Sequence, residues 1–219
     1  MKSHIKEFWD KKIIGWEQDK YERQKKIDVN VSLKERLKIA GRILQSGLVG
    51  SKIVELGCGS GRLLPIIAKL PHIHYVGIDV SPVAIAEAQK RAKELGIEER
   101  VNLIAGSIVD HSFEKVDLVF SLGLLDWLSD EEMNLMIKNV RAPHFFHSFS
   151  EQRPSLSQFL HRLYVFSFYG HKDPSYVPRY YTDEEMFGLL RGENVKFYRS
   201  KKLSFGTFCY DLPFDLETI

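Results

Sequence analysis

Apolar positions recur along this chain with two periods. Leu37, Ala40, Ile43 and Leu44 fall three and four residues apart and share one helical face. Ser32-Leu33-Lys34-Glu35 reads as a capping box that opens this helix, which should run to about Ser46 and stop at Gly47. Short apolar runs then alternate with capped amphipathic segments. The runs at 52–56, 74–79, 101–105, 116–121 and 144–148 predict strands. Residues 61–70, the stretch from Pro82 to Gly96 and a segment after Ser129 predict helices. Ser81 caps the second of these, with Pro82 at its first position, where a missing amide costs nothing. Ser129 and Glu132 form another capping box. The rhythm predicts an α/β fold built on a doubly wound, mostly parallel sheet.

From residue 151 the rhythm changes. Leu156, Phe159, Leu160 and Leu163 form a stripe on a helix over 156–167, and a loop with Pro174 and Pro178 follows. Thr182-Asp183-Glu184-Glu185 caps a helix that ends at Gly192, and runs at 195–201 and 205–210 predict an antiparallel hairpin at the sheet edge. Residues 1–31 are aromatic and charged without a strand pattern, and predict a helical flap. The expected organisation is one domain: a flap (1–31), a core (32–150), an insertion (151–181), and a C-terminal helix with a hairpin (182–219).

The first strand runs into Glu55-Leu56-Gly57-Cys58-Gly59-Ser60-Gly61. Glycine at alternate positions lets the main chain turn sharply between strand and helix and lets a ligand approach it closely. A dinucleotide fingerprint would place its third glycine one residue later, where Arg62 stands. The second strand ends in Tyr75-Val76-Gly77-Ile78-Asp79-Val80, putting a carboxylate about 20 residues beyond the glycines, where it can accept from ribose hydroxyls. Glycine turn and acid together resemble the class I S-adenosylmethionine (SAM)-dependent methyltransferases, whose E/D-x-G-x-G-x-G motif wraps the methionine end of the cofactor.

The resemblance covers residues 36–150 and the tail in outline. It implies a Rossmann-like, seven-stranded sheet with one antiparallel edge strand, and a ligand cleft at the carboxyl ends of the strands. It also implies SAM as cofactor and S-adenosylhomocysteine (SAH) as product. Glu55 corresponds to the acid that helps hold the cofactor's ammonium, Gly57, Cys58, Gly59 and Gly61 to the wrapping loop, and Asp79 to the ribose acid, with Val80 against adenine. Ser107 and Ile108 follow the third strand. Many relatives carry an acid where Ser107 stands, so Ser107 is either a weaker acceptor for the adenine amino group or a turn residue. Ser121 and Leu122 end the fourth strand, whose backbone would lie near the sulfonium.

Methyl transfer to a hydroxyl or nitrogen can require a base, whereas a carboxylate nucleophile needs none. Leu124-Leu125-Asp126-Trp127-Leu128 matches the family's active-site loop. Asp126 is the candidate base or orienting group, although an acid here also suits the dipole of the next helix. Trp127 is a candidate pocket wall, and His147 and Arg179 are candidate substrate contacts. In small-molecule relatives an N-terminal tyrosine closes over the cofactor; Tyr21 either does this or packs on the core. The insertion is expected to overhang the cleft as a substrate lid. Its Phe166-Ser167-Phe168, its amphipathic helix and Arg179-Tyr180-Tyr181-Thr182-Asp183-Glu184-Glu185 are similar to magnesium-protoporphyrin O-methyltransferases, a similarity that names no acceptor.

Composition narrows the partners. The net charge is +2, too small to imply an extended nucleic-acid surface, and no acid cluster resembles the metal site of catechol methyltransferases. The loop also lacks the N/D-P-P-Y signature of amino-methylating relatives. Two cysteines suggest neither a disulfide scaffold nor a zinc site. There is no signal-peptide pattern and no apolar run of about 20 residues. The expectation is a cytoplasmic enzyme, monomer or homodimer, without a metal, methylating a small molecule at oxygen. An RNA or protein methyltransferase and a catalytically silent SAM-binding module are the alternatives.

Overall fold

The computed structural model describes residues 9–10, 15, 31–165, 178–190 and 194–218. Seven strands form one sheet: β1 (Lys52–Leu56), β2 (His74–Asp79), β3 (Val101–Ala105), β4 (Leu118–Leu122), β5 (His144–Ser150), β6 (Lys196–Tyr198) and β7 (Gly206–Asp211). Their order is β3-β2-β1-β4-β5-β7-β6, parallel from β3 through β5. The reversed strand, β7, is antiparallel to β5 on one side and to the short outer β6 on the other. Strand order reverses between β1 and β4, the switch point where open α/β sheets open a crevice.

Helices cover both faces. On one lie α1 (Val31–Gln45), the short α2 (Leu64–Ile67) and α3 (Pro82–Glu94), with Ile39, Ile43, Leu64, Ile67, Ile85 and Ala88 packed on Ile53, Tyr75, Phe120, Phe146 and Phe208. On the other, α4 (Asp130–Asn139) and α6 (Asp183–Leu190) bring Met133, Met136 and Met186 onto Val54, Ile78, Val119, Phe149 and Cys209. Each large aliphatic or aromatic side chain so buried contributes about 1.5–3 kcal/mol. Between β5 and α6 lies α5 (Leu156–Val165). Its expected apolar stripe is on the surface, with Leu156, Phe159, Leu160 and Leu163 at 74%, 58%, 55% and 48% exposure.

Three of the four expected caps form as read. Ser81 Oγ accepts from the Ala84 amide, Ser129 and Glu132 cap each other's amides, and so do Thr182 and Glu185. The fourth does not. α1 has already begun at Val31, and Ser32 donates instead to the Leu203 carbonyl at 2.9 Å, anchoring the helix to the turn before β7. The helix expected over 61–70 shrinks to α2, because Gly61 sits at φ +72° and the chain stays in turns until Leu63. The strand expected over 195–201 shortens to β6.

Candidate functional site

The carboxyl ends of β1, β2 and β3 are knitted together by main-chain bonds. The amides of Gly57 and Cys58 both donate to the Ile78 carbonyl, at 2.8 and 3.1 Å, and the Gly106 amide donates to the Asp79 carbonyl at 2.9 Å. The turn after β1 needs its glycines: Gly57, Gly59 and Gly61 all have positive φ, and a Cβ on Gly61 would stand 2.5 Å from Leu64 Cδ1.

Asp79 organises this corner. Its Oδ2 accepts from the Gly59 amide at 2.9 Å and its Oδ1 from the Ser81 amide at 2.9 Å. One carboxylate thus fixes the glycine turn and the start of α3 relative to each other. Val80 beside it is half-buried. At the end of β3, Ser107 carries a hydroxyl oxygen that is buried and without a hydrogen-bond partner, and Ile108 is buried next to it. Ser107 follows Gly106, whose amide bonds the Asp79 carbonyl, so the unpartnered hydroxyl belongs to the loop next to this corner.

Sequence reasoning missed the support under Glu55. This side chain is buried, and Tyr75 Oη donates to its Oε2 at 2.5 Å from the neighbouring strand. Gly77 makes the contact possible, since a Cβ there would meet Tyr75 Cε1 at 2.8 Å and Cys58 Sγ at 2.9 Å. Burial, and then the Glu55 carboxylate, hold the Tyr75 hydroxyl well above its usual range, so it stays a donor. Tyr75 directly opposes Ile53 across the β1–β2 ladder, two residues before Glu55, and this strand parity is the sequence signal that could have paired them.

After β4, Ser121 and Leu122 lead into Gly123, whose amide donates to the Ser148 carbonyl at 3.2 Å. Leu122 is half-buried. The following turn, Leu125–Trp127, holds Asp126, which is only 6% exposed. Its two oxygens accept from the Ser150 amide (2.7 Å) and hydroxyl (2.8 Å), and its carbonyl accepts from the Arg179 amide at 2.8 Å. Burial pushes its carboxyl up to about 6, against the pull of the Arg36 charge and the Ser150 bonds. Trp127 meets Trp9 edge-on, with ring centroids 5.2 Å apart. Asp10 accepts from the Ser81 hydroxyl at 2.6 Å. Trp9 and Asp10 therefore span the crevice mouth from the β4 side to the β2 side.

The remaining expected residues lie elsewhere. His147 points to the α4 and α6 face, where its Nδ1 bonds Ser121 Oγ at 2.9 Å, its ring stacks near Phe145 and it lines an apolar depression with Leu56, Val119 and Met136. Burial pulls it down to about 3, so it is neutral. Strand parity explains this placement: Phe146, Ser148 and Ser150 take the α1 face of β5 and leave His147 the other. Ser121 likewise brings only its backbone toward the strand end. Arg179 is on the surface, its Nη1 2.7 Å from Asp130 Oδ1 and its guanidinium over the Tyr181 ring. Tyr21, and the lid residues 166–177, lie outside the described residues. Among the described residues no three His, Cys, Asp or Glu side chains are grouped as a metal would need, and no helix is long and apolar enough to cross a membrane.

Comparison with known proteins bears on the segment and the fold that hold this corner. Residues 53–142 match the methyltransferase domain family. An uncharacterised protein of Rickettsia prowazekii (strain Madrid E) is 38% identical over 80 residues, which is 36% of this chain and 14% of that protein, so the chain spans only a small part of that relative. The crystal structure of magnesium protoporphyrin IX methyltransferase from Synechocystis PCC 6803 with bound SAH superposes with a TM-score of 0.71, at 16% identity, over 96% of this chain and 98% of that one. Mitomycin 7-O-methyltransferase superposes with a TM-score of 0.63, at 14% identity, over 80% of this chain and 53% of that one. Residues 53–142 thus match a methyltransferase domain, and the chain as a whole has the fold of these SAH-bound and O-methylating neighbours. The matched segment takes in the strands that build the glycine and Asp79 corner.

Proposed function

We propose that this chain transfers the methyl group of SAM to a small-molecule acceptor, at oxygen. The observation that carries the proposal is the Asp79 corner, where one carboxylate at the end of β2 braces the glycine turn and the α3 start against each other. When bound, SAM supplies a methyl group activated on a sulfonium. Asp79 would hold the ribose hydroxyls, Ser107 the adenine edge, and Gly57, Cys58, Gly59 and Gly61 the methionine end through their main chain. Glu55, oriented by Tyr75, would face the ammonium.

Alignment is the larger part of such catalysis, and orientation alone can supply several kcal/mol. The Trp9–Trp127 pair supports a dry mouth over the crevice. Asp126, clamped by Ser150, is the candidate to take a proton from an acceptor hydroxyl. A carboxyl that titrates near 6 is ionised at neutral pH and retains appreciable basicity. The small-molecule and oxygen assignments draw support from two structural neighbours, a magnesium protoporphyrin IX methyltransferase and a mitomycin 7-O-methyltransferase.

The test is incubation of the purified chain with labelled SAM and a metabolite extract, followed by mass detection of methylated products. Methylated small molecules that disappear with Asp79→Ala support the proposal. Label transferred only to RNA or protein moves the activity to another acceptor class. Absence of any transfer, with SAM bound, makes the chain a silent binding module.

A further inference from the structure

We propose that Arg36 is the cation of a carboxylate-binding site at the carboxyl ends of β4 and β5; the inference rests on the methyltransferase reading and assigns a residue which that reading does not use. Arg36 projects from α1 onto the sheet and is 8% exposed. Its Nη1 lies 2.8 Å from the point a Cβ on Gly123 would occupy, and its Nη2 lies 2.8 Å from the same point on Gly206. Gly123 follows β4, and Gly206 opens β7 directly opposite Ser150 of β5. Two missing side chains therefore create the space in which the guanidinium rests, against bare main chain on both sides.

No hydrogen bond or ion pair of Arg36 is found among the described residues, and its Nε is buried without an acceptor. Ser148, wholly buried on the same face of β5, also has a hydroxyl with no partner. A guanidinium brings five donors and a fixed charge, and burying them unmatched is costly. Asp126 acts on Arg36 through its charge, but both its oxygens are committed to Ser150. It balances charge without filling the fork.

What fills a planar fork of parallel N–H donors is a carboxylate, bound by two hydrogen bonds. A phosphate fits less well. It would bring close to two negative charges to a single cation beside the Asp126 carboxylate. Two reactants of methyl transfer can carry the carboxylate: the amino-acid end of the cofactor, or the acceptor.

Calorimetry on the full chain separates them, using wild type, Arg36→Gln and Arg36→Met. The probes are SAH, SAH lacking its carboxylate, and propionate or benzoate added to SAH-loaded protein. If the cofactor supplies the group, wild type prefers SAH over the decarboxylated analogue by roughly tenfold or more, and both variants lose that preference. If the acceptor supplies it, all three proteins bind SAH alike, but only SAH-loaded wild type holds propionate or benzoate, the variants being weaker by roughly tenfold or more. Arg36→Met should also melt no lower than wild type without ligand, because it removes buried donors that have no acceptor. A marked drop in the melting midpoint of both variants would make Arg36 a structural cation and overturn the inference. So would SAH binding with an unchanged preference, together with no Arg36-dependent carboxylate binding. Wild-type protein that ignores SAH would instead overturn the methyltransferase reading itself, and this inference with it.

Discussion

The two ends of the strand-end crevice are built differently. At β1–β2–β3, polar groups are mostly joined to one another: Asp79 to Gly59 and Ser81, Glu55 to Tyr75, and the Gly57 and Gly106 amides to β2 carbonyls. Ser107 Oγ is the exception. At β4–β5–β7, Arg36 Nε and Ser148 Oγ are buried without partners, and Asp126 is buried as an acid that resists ionising. On the proposed reading, the first end is pre-assembled for the cofactor. The second carries stored polar demand, as that reading expects where an acceptor or the cofactor's carboxylate completes the set.

The largest effect should come from Asp126, at the unsatisfied end. Asp126→Asn should lower methyl transfer by about 10²–10⁴-fold if the carboxylate is the base, measured as kcat with an acceptor found by screening. The same substitution should not destabilise the fold at pH 8. The carboxyl titrates near 6 when folded and near 3.8 otherwise, so folding favours its protonated form. The stability it contributes is present below about 3.8 and is lost as the pH rises through 6, leaving a cost of about 3 kcal/mol at pH 8. Asparagine carries no such cost, and its denaturation midpoint at pH 8 should equal or exceed that of wild type. A large loss of stability with unaltered turnover would make Asp126 only the clamp on Ser150.

Next comes Asp79, at the satisfied end. Asp79→Ala should weaken SAM binding by about 1–3 kcal/mol by leaving ribose hydroxyls unpaired, and calorimetry reads this directly. Unchanged affinity would remove Asp79 from the site. Tyr75→Phe is subtler. It leaves Glu55 buried without its donor and should weaken SAM by about 1 kcal/mol, while sparing 5′-methylthioadenosine, which lacks the amino-acid end. Equal losses for both ligands would show a packing effect instead. The smallest change belongs to Trp9→Ala, worth about 0.5–1.5 kcal/mol of ring contact with Trp127, and visible as faster SAH release in stopped-flow fluorescence.

The satisfied end was the legible one. An acid, three alternate glycines and a second acid at the next strand end are dictated by backbone geometry and local hydrogen bonding, so they are written within 25 residues of chain (Glu55 to Asp79). Caps at Ser81, Ser129 and Thr182 are local too, and were readable for that reason. Ser32 was misread because its partner is Leu203, 171 residues away. Arg36 was invisible for the same reason: what marks it is Gly206, a strand that only the sheet order brings near α1. His147 was misjudged in a different way, since alternation along β5 already assigned it to the far face.

The most direct check on the central claim is the amide spectrum of the labelled chain during titration with SAH. Saturable shifts at Gly57, Gly59, Gly61 and Gly106, with Gly188 unmoved, are the predicted result. Amides of the glycine turn that stay in place at saturating SAH, or a response confined to β6 and β7, would contradict it.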